Sequence, residues 1–287
     1  MALSVARQRS AEEFLDVAGN FLARHEAEHN LLFGICSAIR LAPDAFGEEP
    51  PRFLTVSDAA GGVVAAALQT PPNNLVLSQS DEPGAISALA DAVVAERPPG
   101  ILAPTELAAT FLSRWAERTG EAAHLEVAER IFRLHRVIPP GTPAAGSWRL
   151  ANPADRELVA AWVVAFSTEA MPEQPPIDDP LGVADRWIAR INRLLYLWED
   201  RGRVVSLVGA GGETPNGIRI GPVYTPPRDR GHGYATSLTA AASADQLARG
   251  RRFCFLFTDL ANPTSNAIYR SIGYEPVCDM DQYRFDR

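Results

Sequence analysis

Cysteine is scarce in this chain. Cys36, Cys254 and Cys278 lie far apart with no C-x-x-C pair, so neither a disulfide framework nor a zinc knuckle is indicated, and a reducing cytoplasm is the expected setting. Long apolar runs are missing as well: nothing approaches the roughly 20 residues that span a bilayer. The opening segment MALSVARQRSAEEFLDVAGNF has acids where a secretory signal has its apolar stretch. There is no basic excess; the formal charge is −8, which argues against nucleic acid and against a membrane as partners. Two nucleotide signatures are also missing. GHGYAT stops after two glycines, short of G-x-G-x-x-G, and no G-K-S or G-K-T ends a phosphate loop.

What the chain does have is core material. Apolar residues make up 46 % of 287 positions and charged residues 22 %, an ordinary globular balance, and the length suits two domains. Helical spacing of Phe14, Leu15, Phe21 and Leu22, then of Leu31 to Ile35, predicts helix between Ala11 and Ile39. RFLTVSD, GVVAAALQT and NLVLSQ, parted by Gly61-Gly62 and by Pro71 to Asn74, read as an antiparallel meander. A helix from Ile86 to Val94, a strand at Ile101 to Ala103, a helix from Thr105 to Arg118 and a strand around Val127 to Arg136 complete an α/β unit.

The stretch VIPPGTPAAGS has no periodicity and reads as a linker, giving domains at 1–137 and 148–287 with the linker at 138–147. In the second half, a strand at Trp148 to Ala151 precedes helices at Asp155 to Phe166 and Leu181 to Trp198. Strands at Val204 to Val208 and Ile218 to Tyr224, a helix from Gly233 to Arg249 and the apolar strand FCFLFT follow. Each half therefore runs helices, meander, then helix and strand, the order of a diverged repeat. Gly221-Pro222 interrupts one strand; proline removes a ladder donor, so a bulge or an edge is expected, with a gap opening toward the parallel neighbour.

That strand leads into RDRGHGYA, Arg228 to Ala235. Glycines let backbone N–H groups converge, a helix start adds partial positive charge and arginine adds a full one, so the turn is built for an anion. Its place at the carboxyl end of a βαβ unit is where open α/β folds bind ligands. The pattern R-x-x-G-x-G here, followed by NPTSNAIYRSIGYEP with Asn262, Tyr269, Gly273 and Tyr274, resembles two successive motifs of the GNAT superfamily of N-acetyltransferases. The resemblance covers Trp148 to the C-terminus. In the first half the comparable place is expected at LAPTELAATFL, which lacks both glycines and arginines.

The resemblance implies a mixed-sheet α/β acyltransferase fold in tandem, with a degenerate first copy. It implies acetyl-CoA as co-substrate, no metal, and a primary amine as acceptor. Backbone groups of Val223, Tyr224 and Thr225 would pair with the pantetheine arm. Arg228, Arg230, Gly231, His232, Gly233, Tyr234 and Ala235 would surround the pyrophosphate, with Asn262 fixing the loop and cofactor. Tyr269 would protonate the departing thiolate, a phenol near its ordinary pKa of ~10 suiting that task. The general base is open: Asn216 to Thr225 holds no acid, so Asp259, Glu169 or a water relay must serve. The acidic loop STEAMPEQPPIDDP, with Glu169, Glu173, Asp178 and Asp179, is expected to attract a small cationic amine. The first half is expected to wall the acceptor site or to mediate a homodimer.

Overall fold

The computed structural model describes residues 2–43, 46–47, 49–171 and 176–286. The first half runs β1 (Ser4–Gln8), α1 (Ala11–Ala23), α2 (Asn30–Leu41), β2 (Arg52–Ser57), β3 (Val63–Gln69) and β4 (Leu75–Leu77), then α3 (Pro83–Ala92), β5 (Gly100–Pro104), α4 (Thr105–Thr119) and β6 (Ala123–Leu134). The second half repeats that order: β7 (Ser147–Leu150), α5 (Arg156–Ala170), α6 (Pro180–Ile188), β8 (Leu194–Asp200), β9 (Arg203–Glu213) and β10 (Gly217–Tyr224), then α7 (Tyr234–Ala248), β11 (Phe253–Asp259), α8 (Pro263–Ser271) and β12 (Glu275–Phe285). Pairings match too. β1 to β4 are successively antiparallel with β4 parallel to β5, and β7 to β10 are successively antiparallel with β10 parallel to β11. The chain is thus a tandem duplication of one mixed α/β unit.

Two compact units are present: residues 1–132 with 257–266 and 276–287, and residues 133–256 with 267–275. This differs from the boundary expected at 138–147. β12 pairs antiparallel with β5, Met280 opposite Pro104 and Arg284 opposite Gly100, so the last strand of the second repeat completes the first unit. Such a pairing carries no local sequence signal, because β5 offers the same backbone ladder to any strand. Residues between His135 and Gly146 form no helix or strand.

In the first unit, alternation along the strands sorts side chains onto two faces. Leu54, Val56, Ala65, Ala67, Ile101 and Ala103 meet α3 and α4 through Ile86, Leu89, Phe111 and Trp115. Phe53, Ala66, Leu68 and Leu102 meet α1 and α2 through Phe14, Leu22, Leu32 and Cys36. In the second unit, α5 and α6 cover Leu195, Leu197, Leu207 and Tyr224, while α7 packs on β8, β9 and β10.

One expected element is corrected. The helix read over Leu181 to Trp198 ends at Ile188, and Leu194–Asp200 is a strand paired with both β7 and β9. Arg190 and Asn192, at φ 59° and 51°, turn the chain between them. The run LLYLW is apolar on both faces, as a strand covered on both sides must be, and periodicity cannot tell such a run from buried helix. β1 and β12 were not anticipated. The first is largely exposed and polar, and the second mixes charge with apolar residues, so neither shows strand alternation.

Candidate functional site

β10 begins as an ordinary strand. It pairs in parallel with β11 from Gly217 opposite Phe253 to Arg219 opposite Phe255, and there that ladder stops, although both strands continue. The cause lies at Gly221-Pro222. On the β9 side, Ile220 faces Ala210 and Val223 faces Val208, so two residues of β10 stand against Gly209 alone, a bulge as the proline implied. Gly221 has φ +150°, and its peptide bond to Pro222 is cis. Gly209 is needed opposite: a Cβ there would lie 2.5 Å from the Gly221 carbonyl oxygen and 2.7 Å from the Trp187 ring. Beyond the bulge, Val223 and Tyr224 resume pairing with β9, and neither is in register with a residue of β11.

The chain then passes through a 3-10 turn, Pro227–Asp229, into the glycine turn. Gly231 and Gly233 hold φ +81° and +77°, left-handed values that L side chains adopt only under strain, and no heavy atom lies within 4 Å of a Cβ at Gly231. Gly233 is the N-cap of α7 and no side chain caps that helix, so the first backbone N–H groups, of Tyr234 and Ala235, stay directed out of its end. The turn, bulge and splayed strand form one continuous ribbon in the second unit.

Charged groups brace this ribbon. Asp229 is buried and accepts from Arg203 Nη2 at 2.6 Å and from Arg228 Nε at 3.3 Å. Arg230 Nε donates to the Thr225 carbonyl at 2.8 Å, and its Nη2 pairs with Glu169 at the end of α5. Glu169 also accepts from the Tyr224 hydroxyl at 3.2 Å. Burial, then the negative charge of Glu169 and the hydrogen bond to it, push the Tyr224 phenol above its ordinary value. Tyr234 donates to Asp200 at 2.7 Å, His232 is exposed with its ring 5.6 Å from that of Tyr234, and Thr225 and Ser206 share a hydrogen bond of 2.8 Å. Val223, Tyr224, Thr225, Arg228, Arg230 to Ala235 and Glu169 are therefore gathered at one end of the second unit.

The remaining expected residues divide. Tyr269 belongs to the second unit, buried on α8 with its ring edge-on to Tyr274 at 6.0 Å. Tyr274 is wholly enclosed, and its hydroxyl pairs with Ser243 of α7 at 2.8 Å; burial raises its phenol well above the usual range, which marks it as structural. Asp259 and Asn262 fall in the first unit. Asn262 accepts from the Ser265 N–H at 3.0 Å, capping α8, and Asp259 accepts from the Ala261 N–H at 2.7 Å. In the acidic loop, Asp179 caps α6 by accepting from Gly182 N at 2.9 Å, Asp178 is exposed, and Glu173 lies outside the described residues. Asp229 and Asp200 were missed. Each is one acid among many in a charged segment, and only their tertiary partners distinguish them.

The first unit has no equivalent turn, and the place to look is corrected. The repeat aligns the glycine turn with SQSDEP between β4 and α3, not with LAPTELAATFL before α4. There Gln79 N donates to His29 Nε2 at 2.9 Å, and the acids Asp81 and Glu82 precede the helix. Among the described residues, no cluster of His, Cys, Asp and Glu is placed to hold a metal ion, and no helix is long and apolar enough to cross a membrane.

Residues 157–274 match the sequence model described as the acetyltransferase (GNAT) family. Among solved structures, a Drosophila protein is similar with 14 % identity and a TM-score of 0.69, covering 98 % of both chains. A GCN5-related N-acetyltransferase from Sphaerobacter thermophilus has 17 % identity and a TM-score of 0.61, covering 98 % of this chain and 95 % of its own. A tandem GNAT protein from the clavulanic acid biosynthesis pathway has 15 % identity and a TM-score of 0.59, covering 99 % and 98 %. At these identities the likeness is one of fold. No curated protein matches the sequence significantly.

Proposed function

We propose, from the match of residues 157–274 to the acetyltransferase (GNAT) family model, that the second unit transfers the acetyl group of acetyl-CoA to the primary amine of a small molecule or amino terminus. The observation that carries this reading is the ribbon in which β10 leaves β11 at Arg219 and runs into two left-handed glycines and an uncapped helix start. Strand amides around Val223 to Thr225 suit the amide-bearing pantetheine arm. The N–H groups of Gly231 to Ala235, with Arg228 and Arg230, suit the pyrophosphate. The donor is a substrate here and supplies the activated acyl group.

In this reading a backbone N–H near Val223 polarises the thioester carbonyl, the neutral amine forms the new C–N bond, and the C–S bond breaks. Tyr269 gives its proton to the leaving thiolate, and the proton lost by the amine passes to Glu169 or water. Support for Glu169 over Asp259 comes from its place beside Tyr224 and Arg230 in the second unit; Asp259 is engaged in its own turn. With Glu169 paired and Asp179 capping a helix, Asp178 remains the described acid of the loop to attract a cationic acceptor.

The test is a panel of amines incubated with acetyl-CoA, with free thiol as the readout. The chain contains no lysine, so no side-chain amine of its own competes as acceptor. Thiol release with a cationic primary amine, rising with pH as the amine deprotonates, is the expected result. Binding of CoA without thiol release across the panel would overturn the catalytic reading.

A further inference from the structure

At the other end of β10, remote from the glycine turn, the second unit has a cleft of about 350 Å³ whose lining includes Arg190, Asn192, Arg193, Glu213, Arg249 and Arg251. We infer that this cleft is a binding site for a compact dianion of the phosphomonoester class.

Of the four guanidinium groups, Arg251 pairs with Glu213, and Arg249 pairs with Asp245 at 2.6 Å. Arg190 and Arg193 have no carboxylate within 4.0 Å among the described residues; Arg190 Nη2 donates to the neutral Ala151 carbonyl at 2.7 Å. Two positive charges are thus left uncompensated, and an anion of charge two balances them. Arg193 is half-buried, and burial together with the charge of Arg186 pulls its guanidinium below the ordinary range. A desolvated cation without an acid beside it is costly, and proteins keep such groups where a counter-ion arrives.

The geometry agrees. Arg193 lies over the Trp187 ring, its central carbon 5.3 Å from the centroid, a cation–π contact that restrains the guanidinium while using none of its N–H donors in an ion pair. The loop presenting these residues turns through two left-handed residues, Arg190 at φ 59° and Asn192 at 51°, the second a residue type that takes this conformation readily. Planar forks of N–H donors match tetrahedral phosphate oxygens, and a phosphomonoester carries nearly two charges at neutral pH, whereas a carboxylate carries one. The site is separate from the glycine turn: β10 is 8 residues long and the two lie at its opposite ends, on the order of 20 Å apart.

The test uses the full chain titrated with inorganic phosphate and with glycerol 3-phosphate, followed by calorimetry and by tryptophan fluorescence, since Trp187 would sense the ligand. Saturable binding is expected, with tighter binding of glycerol 3-phosphate marking an organic ester and equal binding marking free phosphate. Arg193→Gln should weaken it about tenfold or more, and Arg193→Lys, which keeps the charge but not the fork, should fall between. Gly231→Val should leave it unchanged. A thermal midpoint equal to the wild type confirms that each variant is folded. The inference is overturned if neither dianion saturates below about 10 mM, if Arg193→Gln binds as the wild type does, or if Gly231→Val abolishes binding and so assigns the phosphate to the glycine turn.

Discussion

Arg230 of the glycine turn is paired with Glu169 at the end of α5, and the same carboxylate accepts the Tyr224 hydroxyl at 3.2 Å. In the proposed function, a phosphate at the turn would compete with Glu169 for the Arg230 guanidinium. In the proposed reaction, its success would release Glu169 beside Tyr224, coupling donor binding to the freeing of a candidate base.

Removing the competitor should tighten donor binding. Both side chains are well exposed, and exposed pairs are worth about 0.2–1 kcal/mol, so Glu169→Gln is expected to lower the Kd for CoA by up to about fivefold while lowering kcat. Calorimetry with CoA and steady-state kinetics with a responsive amine check both. Weaker CoA binding in that variant would show that Glu169 holds Arg230 in place for the phosphate instead of competing with it.

Gly231→Val should damage the turn directly, since a β-branched residue at φ +81° costs about 1–2 kcal/mol and places a side chain where the phosphate would lie. Gly209→Val acts at a distance, its side chain striking the Gly221 carbonyl and Pro222 across the bulge. Both are expected to raise the Kd for CoA at least about tenfold. For Gly209→Val, an unaltered Kd in a protein of unchanged thermal midpoint would mean that the bulge does not govern the donor strand.

The two tyrosines beside each other on and after α8 should separate function from stability. Tyr269→Phe is expected to reduce kcat by about 10²- to 10⁴-fold with little change in CoA affinity. Tyr274→Phe loses a buried hydrogen bond to Ser243, worth roughly 0.5–1.5 kcal/mol of stability, and should keep kcat. Denaturant titration and kinetics on both variants decide; the opposite pattern would exchange their roles.

One CoA should bind per chain. The segment SQSDEP in the first unit has acids and no arginine where the second unit has its glycine turn, so a phosphate there meets repulsion. A calorimetric stoichiometry of two would contradict this.

His29 should make the first unit sensitive to acid. Its Nδ1 meets the Leu22 carbonyl at 2.9 Å and its Nε2 accepts from Gln79 N at 2.9 Å, so the neutral ring is satisfied at both nitrogens and a second ring proton would face an N–H. Burial lowers its pKa from 6.5 to about 4. The unfolded chain then binds more protons than the folded one between those values, so stability is full above pH 6.5 and falls as the pH drops toward 4, by on the order of 3 kcal/mol. Faster amide exchange in α2 on acidification is the expected sign, with the slope flattened in His29→Gln. Exchange independent of pH after correction for intrinsic rates would remove His29 from this role.

Local patterning made much of the site legible. Pro222 signalled a bulge because a missing donor acts on its own strand, and Gly231 and Gly233 signalled a tight turn because left-handed backbone is a property of the residue itself. Glu169 was legible only as a candidate, since the acid that meets Arg230 stands 61 positions away. Asp229 and Asp200 gave no signal, their burial and partners being set by Arg203 and Tyr234 from elsewhere in the chain.

By itself, the sequence determined most of the helices and strands other than β1, β8 and β12, together with the glycine turn and the interruption of β10, because each follows from periodicity, proline or glycine within a few residues. Tertiary structure decided the rest. It made LLYLW a strand, since an apolar run takes the form its neighbours pair with, and it placed β12 against β5, since backbone ladders are indifferent to which strand supplies them. It also chose which of many acids and arginines meet, because a charge pair depends on distance in space and the sequence records only distance along the chain.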